Sequence, residues 1–384
     1  MEQIVSCPGW SNLQTFLNLF VQSTSGLNKR RLPGSCSATG EYLFPGVVMN
    51  RNFPIFLFDD LPKENTLVLF SFPFRFKRYP SFAQIKWQNV DSLYQPLPKT
   101  VHVYFTDDAI DTGKFKAFYL IADLKDKKLD FTTDTTFKRR LTPAQFYERN
   151  EKPIVVVNGT FFSFETNQNL NVVVKDGKLV SYNRSTIDGR GKDTFTYRHS
   201  FNSAIGISKQ RTADIAWLIT DSSYRHSFGS QFPINSLKDS IQNPQFAYLV
   251  QQTSVPQHKG FEKWKMKTAI GGGPVLLQNG EIKITNNEEV KFAGNAINDK
   301  HPRTAMGYTK DNKLIILVVE GRNPNAGGAT LTQEAQILKD LGCIEALNLD
   351  GGGSSCLLVN GKETIKPSDK TQRALPAVFI VKEK

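Results

Sequence analysis

The apolar and polar positions alternate over short spans, which is the period of strands. "TVHVYFTD" (100–107) alternates in this way, and "FKAFYLIADL" (115–124) reads as its partner. "PIVVVNGTFF" (153–162) is apolar without alternation and predicts a buried strand that runs into a turn. Helical spacing is rarer. Thr142-Pro143-Ala144-Gln145 carries an N-cap, a proline at the first helical position and a capping-box glutamine, so a helix is expected to about Arg149. Thr330-Leu331-Thr332-Gln333 repeats that signature. The apolar positions Leu331, Ala335, Leu338 and Leu341 then follow a helical stripe, which Gly342 ends.

The pattern also repeats at longer range. "VVVKDGKLV" (172–180), "PVLLQNGEI" (274–282) and "CLLVNGKET" (356–364) each place Asp-Gly or Asn-Gly after an apolar run, a hairpin signature. A special turn precedes each one: "NGTFF", "GGGP" and "DGGGSS". Downstream, "NSAIGISK" (202–209) resembles "RTAMGYTK" (303–310), and both lead into an apolar strand; "RALPAVFIV" (373–381) is a fainter third echo. The expectation is an α+β fold whose largely antiparallel sheets are built from repeated hairpin units, with a few packed helices.

Composition changes this picture little. Hydrophobic residues make up 39% and charged residues 22%, the globular range. The net charge is +12, but the lysines and arginines are scattered rather than clustered, so no nucleic-acid partner is expected. No apolar run approaches ~18 residues, so stable membrane insertion is not expected either. The four cysteines form no CxxC pair. Cys343 and Cys356 read either as a disulfide of an exported chain or as buried thiols. Residues 1–83 lack sustained periodicity. "SFAQ" (81–84) offers the small residues that a signal peptidase favours, but the apolar stretch at 65–74 is cut off from it by "RFKRYP". Two readings stand for 1–83: a degraded or misassigned leader, or a poorly ordered N-terminal extension. Residues 84–384 form the working domain, and the chain is expected to be exported, periplasmic or extracellular.

If the repeated units pack around one centre, their special turns line one cleft. Asn158 and Thr160 would enter it from the first turn, Gly272 from the second, and Asp350, Ser354 and Ser355 from the third. Arg303 opens a matching strand, and Glu320 and Arg322 end the next one. The glycines at 271–273 and 351–353 allow close approach, and their N–H groups could form an anion-binding nest. Each motif also has a plain structural reading: a tight bend, an ordinary Asn158-Gly159 turn, or an Arg303–Glu320 ion pair. "DGGGSSC" lacks the lysine of a phosphate loop and continues into a strand, so nucleotide hydrolysis is excluded. There is no HExxH or GxSxG for zinc-protease or serine-hydrolase chemistry.

"VVVNGTFF", "AIGGGPVLL", "HPRTAMGYT", "VVEGR", "GATLTQEAQILKDLGCIEALNLDGGGSS" and "PAVFIV" together resemble the phosphodiester glycosidase family over residues 100–384. The segment 84–150 is similar to its bacterial members. The resemblance implies an α+β fold and a hydrolase that cleaves an N-acetylglucosamine-type sugar from a phosphodiester-linked glycan or surface polymer. It implies Asn158, Arg303, Glu320 and Asp350 as active-site residues. Arg322, Gly351, Gly352, Gly353, Ser354, Ser355, Thr160 and Gly272 are the expected binders of substrate and phosphate. Glycoside cleavage usually needs two carboxylates, and Glu320 and Asp350 are the available pair. Phosphate is a good leaving group, so charge stabilisation matters more than protonation. No cofactor is required by this scheme; a divalent cation such as Ca²⁺ on Asp350 or Glu320 is the alternative. The alternative from another class is a non-catalytic carbohydrate- or cell-wall-binding module that uses the same cleft.

Overall fold

Alternation turns into burial wherever the chain is described. In the computed structural model, strand Val101–Thr106 buries Val101 and Val103 and pairs antiparallel with Ala117–Asp123. The structure describes residues 43–44, 47–48, 85–111, 113–253 and 260–384. By its contacts the chain divides into Met1–Ser81 and Phe82–Lys384. The described part of the first unit is a two-stranded ribbon, Leu43–Phe44 against Val47–Val48. The leader reading, with Ser81 to Gln84, lies outside the described residues, as do Cys7 and Cys36.

The second unit is built mainly from three sheets of seven, eight and five strands. Every described strand pair is antiparallel, and among the described residues four α-helices accompany the strands. Each of the three Asn-Gly or Asp-Gly signatures forms a hairpin at the edge of a different sheet. Asp176-Gly177, Asn279-Gly280 and Asn360-Gly361 all adopt positive φ, between 48° and 78°, the geometry of a tight two-residue turn.

The strand order explains why the special turns meet. Strand Val155–Asn158 lies in the five-stranded sheet and hands the chain, through "NGTFF", to the edge hairpin of the seven-stranded sheet. Thr268–Gly271 lies in the seven-stranded sheet and passes through "GGGP" to the hairpin of the eight-stranded sheet. Cys343–Asn348 lies in the eight-stranded sheet and returns through "DGGGSS" to the hairpin of the five-stranded sheet. The three crossovers therefore close a cycle. The fainter echo departs from the others: Ser203–Ile207 and Arg303–Thr309 each continue into a hairpin partner, whereas Ala377–Glu383 pairs backwards with Leu129–Thr135 and Val155–Asn158.

Both predicted helices form with complete capping boxes, at Pro143–Arg149 and Leu331–Asp340. The second buries Leu331, Ala335, Ile337 and Leu338 against Leu276, Leu277, Ala305 and Leu317 of the eight-stranded sheet. Each buried leucine contributes roughly 1.5–3 kcal/mol. Gly342, at φ 84°, closes the helix. The disulfide reading is corrected here. Cys343 and Cys356 are free, buried thiols. Cys343 starts a strand of the eight-stranded sheet, and Cys356 immediately precedes one of the five-stranded sheet. Burial pushes the Cys343 thiol up to about 12.

Candidate active site

The three crossovers are bonded into one junction. Asn158 Nδ2 donates to the Asp350 carbonyl at 2.6 Å, and the Asp350 amide donates to the Gly159 carbonyl at 3.0 Å. The middle turn clamps on the same strand end, because the Gly273 amide donates to the Asn348 carbonyl at 2.7 Å and Asn348 Nδ2 donates back to Gly273 at 2.8 Å. The glycines here are steric requirements. A Cβ on Gly272 would stand 2.4 Å from the Asn348 carbonyl oxygen, and one on Gly159 would stand 2.2 Å from Ile270.

Most of the glycine amides expected to form an anion nest are already engaged. The amides of Gly271, Gly272 and Gly273 donate to the carbonyls of Val172, Ser203 and Asn348. The Gly352 amide donates to Pro302, and the Gly351 amide to the Asp350 carboxyl. Charged side chains stand beside the bare backbone instead. The Arg322 guanidinium lies 3.2 Å from where a Gly352 Cβ would be, and the Arg373 guanidinium 2.0 Å from a Gly353 Cβ.

Several predicted residues are brought to the junction as supports. Asn158 is fully buried, and its Oδ1 accepts from Thr304 and from the Cys356 amide. Thr160 is buried and donates to Asn169. Glu320 is buried, with one oxygen accepting from Asn323 Nδ2 and the other from the Lys366 amide, both at 3.0 Å. Arg303 is also buried. It donates to the carbonyls of Ala329 and Asp299, and its guanidinium lies over the Phe292 ring. No Arg303–Glu320 ion pair exists among the described residues, so that plain reading is corrected too.

Asp350 differs in being only half-buried, with its carboxyl accepting from Ser354 and the Gly351 amide. Burial pushes it up to about 7, against the opposing pull of a Ser354 hydrogen bond, Arg373 and the Gly351 amide. Half-buried Arg373 acts on it, and exposed Arg322, with half-buried His301 beside it, stands against the following Gly352. His301 Nδ1 lies 3.3 Å from Arg322 Nη2, and burial together with the neighbouring arginines holds the imidazole below its usual range. Arg373 pairs with Asp369 at 2.6 Å and lies against exposed Phe164. Ser354 is buried and also receives a long bond from Arg373. Ser355 is buried with its hydroxyl unpartnered, as is the Asn348 carbonyl oxygen of the side chain. Unsatisfied polar atoms beside a raised carboxyl mark a site kept poor in compensation.

Sequence reasoning missed Arg373, Asp369, His301 and Glu334. Glu334 has a signal in hindsight, since it falls on the buried stripe of the helix, one residue before Ala335. It is fully buried, neither oxygen has a partner, and burial pushes it up to about 8, with Arg303 acting in the opposite direction. Arg373 opens the "RALPAVFIV" echo without having been given a role there, and nothing in the spacing of Asp369 singled it out. Among the described residues no group of three His, Cys, Asp or Glu converges, and both Glu320 oxygens are engaged.

Residues 151–382 match the family described as phosphodiester glycosidase. A stretch of 79 residues is 42% identical to the SPbeta prophage-derived uncharacterized protein YomE of Bacillus subtilis, taking in 21% of this chain and 12% of that protein. A stretch of 111 residues is 31% identical to the N-acetylglucosamine-1-phosphodiester alpha-N-acetylglucosaminidase of Mus musculus, 27% of this chain and 21% of the mouse protein. The chain thus spans a small part of the curated relatives it matches. The catalytic domain of the zebrafish enzyme of the same name, solved in a form auto-inhibited by its pro-peptide, superposes with a TM-score of 0.50 at 22% identity. That superposition covers 78% of this chain and 88% of the zebrafish one, and shows a shared fold.

Proposed function

The chain belongs to the phosphodiester glycosidase family, and from that premise we propose that it hydrolyses the bond between an N-acetylglucosamine-type sugar and a phosphodiester on a glycan or surface polymer. The observation that carries the reading is Asp350, a half-buried residue whose carboxyl is raised to about 7 beside Arg373, with Arg322 against the following Gly352.

Asp350 acts as the base. A group that titrates near neutrality is matched to taking a proton from water. Water attacks the anomeric carbon, the carbon–oxygen bond to phosphate breaks, and the electron pair leaves on the phosphate oxygen. Asp350 holds the proton and then releases it to solvent. A phosphate monoester is a weak base, so it leaves without a general acid. Arg322 and Arg373 supply the positive charge that its oxygens need. Glu320, Asn158, Arg303 and Thr160 act on the turns that place Asp350 rather than on the bond. The correspondence of the three hairpins and three crossovers supports descent from one repeated unit. Export is part of this reading and rests on the Ser81–Gln84 pattern; no helix among the described residues is long and apolar enough to cross a membrane.

The test is incubation with an aryl phosphodiester of N-acetylglucosamine. Release of free sugar that follows the enzyme concentration is the expected result. Saturable binding with no product would instead make the cleft a carbohydrate-binding module.

A further inference from the structure

A second hollow opens beside the junction, on the side of the seven-stranded sheet. Its volume is about 620 Å³, and Phe161 of "NGTFF", Asn171, Arg184, Arg190 and Lys291 are among the residues lining it. A larger hollow of about 720 Å³, lined by Lys99, His102 and Lys313 among others, shares no residue with the turns.

Lys291 is the unusual member. Its ammonium lies 5.1 Å from the centre of the Phe161 ring, and among the described residues no hydrogen bond or ion pair holds it. Its stem crosses the middle turn, where a Cβ on Gly273 would stand 2.4 Å from Lys291 Cε. The glycine of "GGGP" is therefore bare where the lysine passes. The neighbouring backbone is strained to make this approach, because Val290 sits at φ 52°, a left-handed conformation that a β-branched residue rarely adopts.

The adjacent acid does not neutralise the lysine by contact. Glu289 accepts five hydrogen bonds: from the Ser203 amide and hydroxyl, Trp217 Nε1, the Val275 amide and Thr285 Oγ1. Burial holds Lys291 down to about 8, with Glu289 acting against that shift. At the mouth, exposed Arg184 makes a loose 3.7 Å pair with Asp188, and exposed Arg190 has no charged partner among the described residues. Three cations thus face two carboxylates, one of which is already saturated by donors.

We propose that this hollow is a second anion subsite, in which Lys291, with Arg184 and Arg190 at the rim, takes a phosphate or carboxylate group. Its place next to the junction suits a polyanionic substrate whose scissile phosphodiester lies at Asp350; that purpose rests on the glycosidase reading, while the binding itself does not. The ring under the ammonium and the dry surroundings make an incoming anion worth more than it would be in open water.

Trace acetylation of the full chain, read peptide by peptide with inorganic phosphate as the probe, tests the proposal without any turnover. Lys291 is expected to be protected by phosphate in the wild type and equally in Asp350→Asn. In Arg184→Gln/Arg190→Gln, two exposed changes that leave the core intact, half-protection is expected to need about tenfold more phosphate, the order of one lost charge-assisted contact. Absence of protection at Lys291, or protection abolished by Arg322→Gln and unaffected by the double change, would overturn the subsite. Either result leaves the release of free sugar to be judged separately.

Discussion

Asp350→Asn is expected to lower turnover by about three orders of magnitude, within the range that a lost general base gives. The fold should survive, because the Asn158 and Gly159 bonds to residue 350 are made by its backbone. Removing a carboxyl that burial disfavours does not strip the native state of a favourable charge, so the melting temperature should stay level or rise. The pH dependence has a definite sign. A base works deprotonated, and Asp350 is raised to about 7, so kcat/KM of the wild type should climb as pH rises through about 7. A variant with a near-normal rate, or a wild-type profile that falls through neutrality, would remove Asp350 from that role.

Asn158→Ala is expected to destabilise the protein by roughly 3–5 kcal/mol and to abolish activity with it. The truncation leaves three buried groups without a partner: the Asp350 carbonyl, the Thr304 hydroxyl and the Cys356 amide. Each unsatisfied buried group costs about 1–3 kcal/mol, and the three losses overlap because they share one small space. The amide also bridges two sheets, joining the end of Val155–Asn158 to the turn after Cys343–Asn348. Urea unfolding of the variant measures the loss. A change below about 1 kcal/mol would mean that Asn158 does not hold the junction and would reopen a direct role in substrate contact.

What could be read from the sequence were the features set by local chemistry. Capping boxes at Thr142 and Thr330 satisfy helix donors within three residues, and Asn-Gly or Asp-Gly pairs take positive φ wherever they occur, so these elements formed as written. The handing of strands from sheet to sheet was not legible, because it depends on pairings between residues about 200 positions apart, such as Leu357 with Val157. The fold gathers residues that the motifs singled out, but how deeply some of them are buried was not legible. Asn158, Glu320 and Arg303 look chemically active beside glycines, yet burial turns them inward to backbone partners. Arg373 opens the faint "RALPAVFIV" echo but was given no task, because only the fold brings it to the third turn. Lys291 was overlooked because only the fold lays "VKF" across Gly273, eighteen residues earlier in the chain. The triple glycines illustrate the limit well. Their spacing suggested amides for a ligand, whereas most of those amides serve neighbouring carbonyls and the missing side chains make room for Asn348, Lys291, Arg322 and Arg373.

The central claim, that water attacks the sugar carbon and phosphate departs, is tested most directly by hydrolysing the aryl phosphodiester of N-acetylglucosamine in ¹⁸O-labelled water and weighing the products. The account predicts label in the anomeric hydroxyl of free N-acetylglucosamine and none in the aryl phosphate. Label in the phosphate, with sugar 1-phosphate released, would contradict it.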